Sequence, residues 1–227
     1  MTRSYFDQEL QSLQDDLVIF SSMVSEALVN SVKALRERDV QKAGMIIEYD
    51  RKLNDRRFSL EDRCLTLLAT QQPTARDLRL IAAVLEVNME LERMGDYAKG
   101  ISRITCMLGP ECTLRIPPEI QKMADLGVDM LGRALDAFVN KDLDVARALP
   151  LEDDQLDAMY NQVSREVISS IMAHPSQSDQ WNYVSWAAHN LERFGDRVTN
   201  ICERIVYTIT GEFTEFDARE PAASGVN

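Results

Sequence analysis

Apolar residues recur at steps of three and four over most of this chain, the spacing that places them on one face of an α-helix. Leu80, Val84, Val87, Leu91, Met94, Ala98 and Ile101 form one such stripe. Val184, Ala187, Leu191, Phe194, Val198, Ile201 and Ile205 form a second in the same rhythm. Both are read as core. Turn-forming residues gather in a few places: Asp39 after Arg36-Glu37-Arg38, Pro73, Gly109-Pro110 with Pro117-Pro118, Asp142 after Asn140-Lys141, and Pro175. Between them lie segments of roughly 20 to 35 residues rich in Leu, Ala, Glu, Arg and Met, all favourable in helices. No Asn-Gly or Asp-Gly pair separates alternating apolar runs, so hairpins are not expected. The pattern predicts an all-α chain of six long antiparallel helices.

The two halves of the pattern match each other. Leu91-Glu92-Arg93-Met94-Gly95-Asp96 returns 100 residues later as Leu191-Glu192-Arg193-Phe194-Gly195-Asp196. Asp50-x-x-Leu53-Asn54 returns as Asp153-x-x-Leu156-Asp157, and the Pro73 turn corresponds to the Pro175 turn. Shared order at a near-constant offset identifies a duplicated three-helix unit. The expected division is a first three-helix bundle over 1–108, a linker over 109–118, a second bundle over 119–213 and a flexible tail over 214–227.

Composition narrows the function classes. The 227 residues include 25 Lys and Arg against 37 Asp and Glu, a net charge of −12. A pI near 4.7 disfavours nucleic acid and anionic lipid, which are bound by releasing counterions through clustered cations. Hydrophobic residues at 45% suffice for an ordinary packed core. Cys64, Cys106, Cys112 and Cys202 include no Cys-x-x-Cys pair, so neither a disulfide scaffold nor a zinc ribbon is expected. They read as small core side chains, and Trp181 and Trp186 as packing anchors. No basic start followed by an apolar run marks a signal peptide, and no stretch comes near the ~18 apolar residues of a membrane span. These features predict a soluble, cytoplasmic protein.

The duplicated acids are the candidate chemistry. Glu92 and Asp96 are four residues apart, as are Glu192 and Asp196, so each pair shares a helical face turned away from the apolar stripe. Two acids one turn apart repel by about a few tenths of a kcal/mol. Their presence in both halves asks for a counter-charge. On the preceding helix, Asp50, Asn54 and Glu61 share one face, as do Asp153, Asp157 and Asn161 in the second unit. If these helices lie antiparallel, two oxygen-rich stripes converge, a donor set suited to Mg, Mn, Ca or iron. A solvated face whose acids pair with Arg93, Arg193 or Arg197 is the alternative, and both stay open here. In the second half Ser185, His189, Glu192, Asp196 and Glu203 extend the polar stripe. An anion site on such a face is not expected. A di-iron oxygenase needs two Glu-x-x-His motifs, and the chain has only His174 and His189, neither in that arrangement. No nucleophile elbow, Walker loop or dinucleotide fingerprint occurs.

Pro73-x-x-x-Asp77-Leu78-Arg79-x-Ile81, followed by Leu91-Glu92-Arg93-Met94-Gly95-Asp96-Tyr97-Ala98-x-x-Ile101, resembles the signature of the PhoU family of phosphate-uptake regulators. The resemblance runs from about Phe6 to Gly211 and includes the repeat. It implies two tandem three-helix bundles acting as a non-enzymatic adaptor. Such an adaptor restrains phosphate uptake and the phosphate-starvation response by coupling the ATPase of the Pst transporter to the phosphate-sensor histidine kinase. It also implies a homodimer that meets the membrane only through protein partners, and Fe, Zn, Mg or Mn on the acidic motifs. Carried over residue by residue, the implied metal ligands are Asp50, Asn54, Glu92 and Asp96 in the first unit. In the second they are Asp153, Asp157, Glu192, Asp196 and Asn200. Asn54 stands where the second unit has Asp157, and Gly100 where it has Asn200, so the second site is expected to be the stronger. The competing expectations are a metal-binding helical protein with storage or redox enzyme activity, and a plain helical oligomerisation module.

Overall fold

Residues 3–216 are described by the computed structural model. They form seven α-helices: α1 (Arg3–Glu37), α2 (Val40–Thr70), α3 (Ala75–Leu108), α4 (Glu119–Asn140), α5 (Leu143–Ala148), α6 (Asp153–Ala173) and α7 (Ser178–Thr210). The all-α expectation holds. The fifth expected helix arrives in two pieces, because α5 gives way to a 3₁₀ turn over Leu149–Glu152 before α6 begins. Pro150 sits in that turn, where its missing N–H and ring interrupt a continuous α-helix. The tail expected from 214 lies, beyond residue 216, outside the described residues.

Helix boundaries follow local chemistry. The Asp39 carboxylate accepts the Lys42 N–H at 2.8 Å and starts α2. Asp77 reaches back to accept both the Thr74 N–H at 3.2 Å and the Thr74 hydroxyl at 2.7 Å, forming a capping box at α3. Asp142 accepts the N–H groups of Asp144 and Val145, each at 3.1 Å, to open α5. Gly211 ends α7 at φ 81°, a left-handed conformation that costs glycine nothing.

Helices α1, α2 and α3 pack on one another, as do α4, α6 and α7, while α3 against α7 and α1 against α4 join the two units. One continuous core results, with Leu13, Leu17, Phe20, Leu91, Met94 and Phe194 among its fully enclosed side chains. The second apolar stripe is buried throughout, and the first except for Leu80, which is half-buried. Over much of its length α1 is apolar enough by composition to cross a membrane, which corrects the expectation that no stretch comes near this. Half of that apolar stretch is buried in the bundle, so its side chains serve the core.

The α3–α7 seam is polar as well as apolar. The Glu90 carboxylate accepts from Arg197 Nη1 and from Asn200 Nδ2, each at 3.3 Å. Glu86 pairs with Arg204 at 2.8 Å, and the Arg193 guanidinium lies over the Tyr97 ring, 5.6 Å from its centroid. Gly100 leaves room for Asn190, which would stand 3.2 Å from a Cβ there. These pairings advance in opposite directions along the two helices, so α3 and α7 are antiparallel. Under the repeat, Glu90 with Asn200 is the counterpart of Asn190 with Gly100. The units therefore meet through equivalent surfaces, as subunits do in a two-fold dimer. Arg38 fastens the connecting segment: its guanidinium donates to the carbonyls of Cys112, at 3.1 Å, and of Leu114.

Because α3 and α7 each belong both to a unit's core and to the seam, the two units are expected to unfold together. Calorimetry is predicted to show a single transition with equal calorimetric and van't Hoff enthalpies. Phe194→Ala should lower stability by about 3–5 kcal/mol without splitting that transition. Two resolved transitions would count against a shared core.

Candidate functional site

Both acidic groups are built around a glycine. Gly95 of α3 faces Leu53 of α2, whose Cδ1 would lie 2.8 Å from any Cβ placed there. A Cβ on Gly195 would overlap Leu156 Cδ1 and Asp153 Oδ1 of α6. The bare Cα at these positions lets the second and third helices of each unit approach closely. Leu91 and Met94, or Leu191 and Phe194, fill the core beside the contact. Glu92 and Asp96, or Glu192 and Asp196, then flank the same contact on its outer side. Asp50 and Asp153, each one turn before the contacting leucine, are brought alongside.

In the first unit a lysine supplies the counter-charge. Asp50, buried against α3, receives the Lys99 ammonium at 2.6 Å and the Asn54 amide at 3.2 Å. Lys99 also lies 3.5 Å from Asp96. The hydrogen bond to Asp50 raises the Lys99 pKa above the ordinary lysine value. Glu92 is pushed upward too, first by partial burial and then by the charge of Asp96, with Arg57 opposing. Glu61, at the end of the α2 stripe, pairs with Arg57 at 3.1 Å instead of joining the group.

The second unit keeps the acids and changes the rest. Asp157 replaces Asn54, and Thr199 stands where the first unit has Lys99. Thr199 is buried, and its hydroxyl has no hydrogen-bond partner. The Glu192 pKa is raised by burial first, then by Asp196, with His189 opposing and Asp157 adding to the rise. His189 Nδ1 lies 3.3 Å from Glu192 Oε2, an ion pair only while the imidazole is protonated, and no hydrogen bond reaches that buried oxygen.

Several residues sit elsewhere than the sequence reading places them. Arg93 and Arg197 both hydrogen-bond Glu90, and Arg193 lies over Tyr97, while the charges of Arg93 and Arg193 still oppose the upward shifts of Glu92 and Glu192. Asn200 donates across the seam to Glu90. Glu203 is buried, and it accepts the Phe216 N–H at 3.0 Å rather than extending the polar stripe. Trp181 is buried as a packing anchor, whereas Trp186 is 54% exposed and meets only the edge of Tyr183 at 5.5 Å between ring centroids. Cys64 and Cys202 are core residues whose thiols burial pushes up to about 12, while Cys106 is exposed. Lys99 is the residue that sequence reasoning missed. Its place three residues after Asp96, within ion-pair reach on a helix, was the available signal.

Whether a metal fits differs between the units. In the first, the Lys99 ammonium already occupies the cation's place against Asp50 and Asp96, so the residues present do not fit one. In the second, Asp153, Asp157, Glu192 and Asp196 offer hard oxygen donors only, the right chemistry for Mg, Mn or iron. Among the described residues no group of three or more His, Cys, Asp or Glu side chains stands close enough to hold a metal ion as the chain is folded here.

Two outcomes follow from these charges. Lys99→Met leaves Asp50 buried without its ammonium and should cost about 1–3 kcal/mol in chemical denaturation at neutral pH. Because the pKa of Lys99 is raised on folding, its contribution is present below the ordinary value of 10.5 and fades only as pH climbs above it. Glu192 has the opposite sign. A carboxyl raised on folding keeps a proton that the unfolded chain has already lost, so stability falls as pH rises upward from 4.5 through the raised value. Glu192→Gln should therefore stabilise the metal-free, chelator-treated protein at pH 7, by under about 1 kcal/mol given its partial exposure. The gain should vanish at pH values below 4.5, where both side chains are neutral; an equal effect at both pH values would refute the electrostatic assignment.

Comparison with known proteins places this geometry in a family. Residues 17–105 and 120–205 match the family model described as the PhoU domain. The chain is 33% identical over 213 residues to the phosphate-specific transport system accessory protein PhoU homolog of Clostridium acetobutylicum, covering 93% of this chain and 97% of that one. It is 30% identical over 210 residues to the phosphate-specific transport system accessory protein PhoU of Escherichia coli K12, covering 91% and 86%. The crystal structure of PhoU from Pseudomonas aeruginosa superposes with a TM-score of 0.86 at 30% identity, over 91% of this chain and 100% of that one. A tandem pair of matched domains, full-length relatives and a shared fold agree: the chain belongs to the PhoU family.

Proposed function

We propose that this protein is a non-enzymatic negative regulator of phosphate uptake and of the phosphate-starvation response. It couples the ATPase of a Pst-type phosphate transporter to a phosphate-sensor histidine kinase, acts in the cytoplasm as a homodimer, and reaches the membrane through those partners. The carrying observation is that both units match the PhoU domain in a chain spanning nearly the whole of relatives named as phosphate-specific transport system accessory proteins.

Within that role, we assign metal binding to the second unit alone. Asp153, Asp157, Glu192 and Asp196 are the donors, and Asn200 is left out because it serves the seam. A metal there supplies the positive charge that Lys99 supplies in the first unit. The chain's own residues do the rest. Gly195 sets the spacing of α6 and α7, and Glu192 and Asp196 present oxygens one turn apart.

Deleting the gene in its host should derepress a phosphate-starvation reporter in phosphate-rich medium, and the intact gene should restore repression. A reporter that stays silent would sink the regulatory reading. Capture of the transporter ATPase or the kinase sensor domain by the purified protein checks the coupling. Metal analysis of the native protein should show content that falls with Glu192→Gln plus Asp196→Asn and is unchanged by Glu92→Gln plus Asp96→Asn. Metal accompanied by oxidase or phosphatase turnover would instead favour an enzyme.

A further inference from the structure

At one end of the molecule the two units enclose a cavity of about 780 Å³, away from both acidic groups. Its walls come from α1, from the first turns of α3, from Lys141 beyond α4 and from the end of α7. Hydrogen-bond donors are in surplus there. Gln14 is only 6% exposed, and its amide Nε2 is buried with no hydrogen-bond partner. Arg79 Nε is likewise buried and unpartnered, its guanidinium resting against Gly211. Arg76, Arg79 and Lys141 line the same cavity, and no ion pair forms for any of them among the described residues. Two carboxylates are present as well, Asp7 and Asp77, the latter engaged in the α3 capping box.

Buried donors left without acceptors are costly, and native proteins seldom keep them without a partner. Here two buried donors, Gln14 Nε2 and Arg79 Nε, lack the same thing, an acceptor. Three cations against two acids make this a local reversal of charge on a chain of net charge −12. The first turn of the long helix α3 adds the positive end of its dipole. The small excess of positive charge suits one phosphoryl group, which carries about −1.5 to −2 at neutral pH, better than a polyphosphate. The volume falls within the roughly 300–1,000 Å³ of small-molecule sites and leaves room beyond the anion against Leu10, Leu80 and Ile209.

We propose that this cavity binds a phosphate monoanion or dianion, either free or as a small phosphomonoester, through Arg79, Arg76, Lys141 and the Gln14 amide. The bound anion bridges the two units, because its ligands come from both. This site is independent of the metal assignment and of the regulatory role, and its test does not involve either.

Titration calorimetry of the full chain with inorganic phosphate and, separately, adenosine monophosphate tests the site at constant ionic strength. The expected result is saturable binding at one site per chain for at least one of them, weakened about tenfold or more by Arg79→Gln. The tighter of the two arms identifies the source of the phosphate group. Lys33→Gln, far along α1, should bind as the parent does. If Arg79→Gln fails to fold, Lys141→Gln serves, since Lys141 is exposed at the cavity and its loss should also weaken binding. Absence of saturable binding by either probe up to millimolar concentrations, or binding indifferent to both substitutions, would overturn the proposal.

Discussion

Each unit depends on one close contact between two helices, made possible by the missing side chain of Gly95 or Gly195. A Cβ at either position would meet a leucine from the neighbouring helix, and at Gly195 an aspartate oxygen as well. In a close-packed interior those side chains would have to leave their places to make room for it. The contact also sets the relation between the acids on its two sides. Glu92 and Asp96 can stand near Asp50 only because α2 comes in this close. The shared Leu-Glu-Arg-x-Gly-Asp segment is then a single device: an apolar residue for the core, a glycine for the approach, and two acids on its rim.

Duplication preserved that device and let its electrostatics diverge. The first unit carries its own cation, since Lys99 reaches Asp50 at 2.6 Å while the Asn54 amide takes a remaining position on the same carboxylate. The second unit places Asp157 and Thr199 at those positions. In both units the glutamate of the motif is raised by burial and by its aspartate neighbour. Two units of one fold thus differ in whether a lysine one helix turn from the motif is tied to its acids.

The parts legible in the sequence are those set by one helix at a time. The stripes through Leu91 and Leu191, the helix breaks at Asp39 and Asp142, and the repeat itself all express local periodicity or local turn chemistry. What escaped depends on which neighbour a face meets. A helical wheel puts Asn200 on the same face as Asp196, yet the antiparallel seam turns it toward Glu90. Glu203 follows the polar spacing and is nonetheless buried beneath the segment after α7. Arg93, Arg193 and Arg197 were reasonable partners for the motif acids by spacing, yet their direct contacts are with Glu90 and Tyr97 at the seam. Lys99 was visible as a neighbour of Asp96, but its main partner, Asp50, is on another helix. The cavity at the end of the bundle is drawn from four separate stretches of chain and has no signature in any of them.

The seam makes the two units a single object. Glu90 is 9% exposed and gathers Arg93 from its own helix with Arg197 and Asn200 from the other unit. A buried carboxylate with charged partners adds little net stability compared with an apolar contact of equal size, because desolvation offsets most of the attraction. What it contributes is register: a slide of one turn along α7 would take Arg197 and Asn200 away from Glu90 and leave it with Arg93 alone. Asp196 stands immediately before Arg197 on α7, so the second acidic group and the seam share one turn of helix. The same helix ends at the cavity, where Thr208 and Ile209 form part of its wall. The second acidic group, the Glu90 cluster and the cavity wall therefore follow one another along the second half of α7.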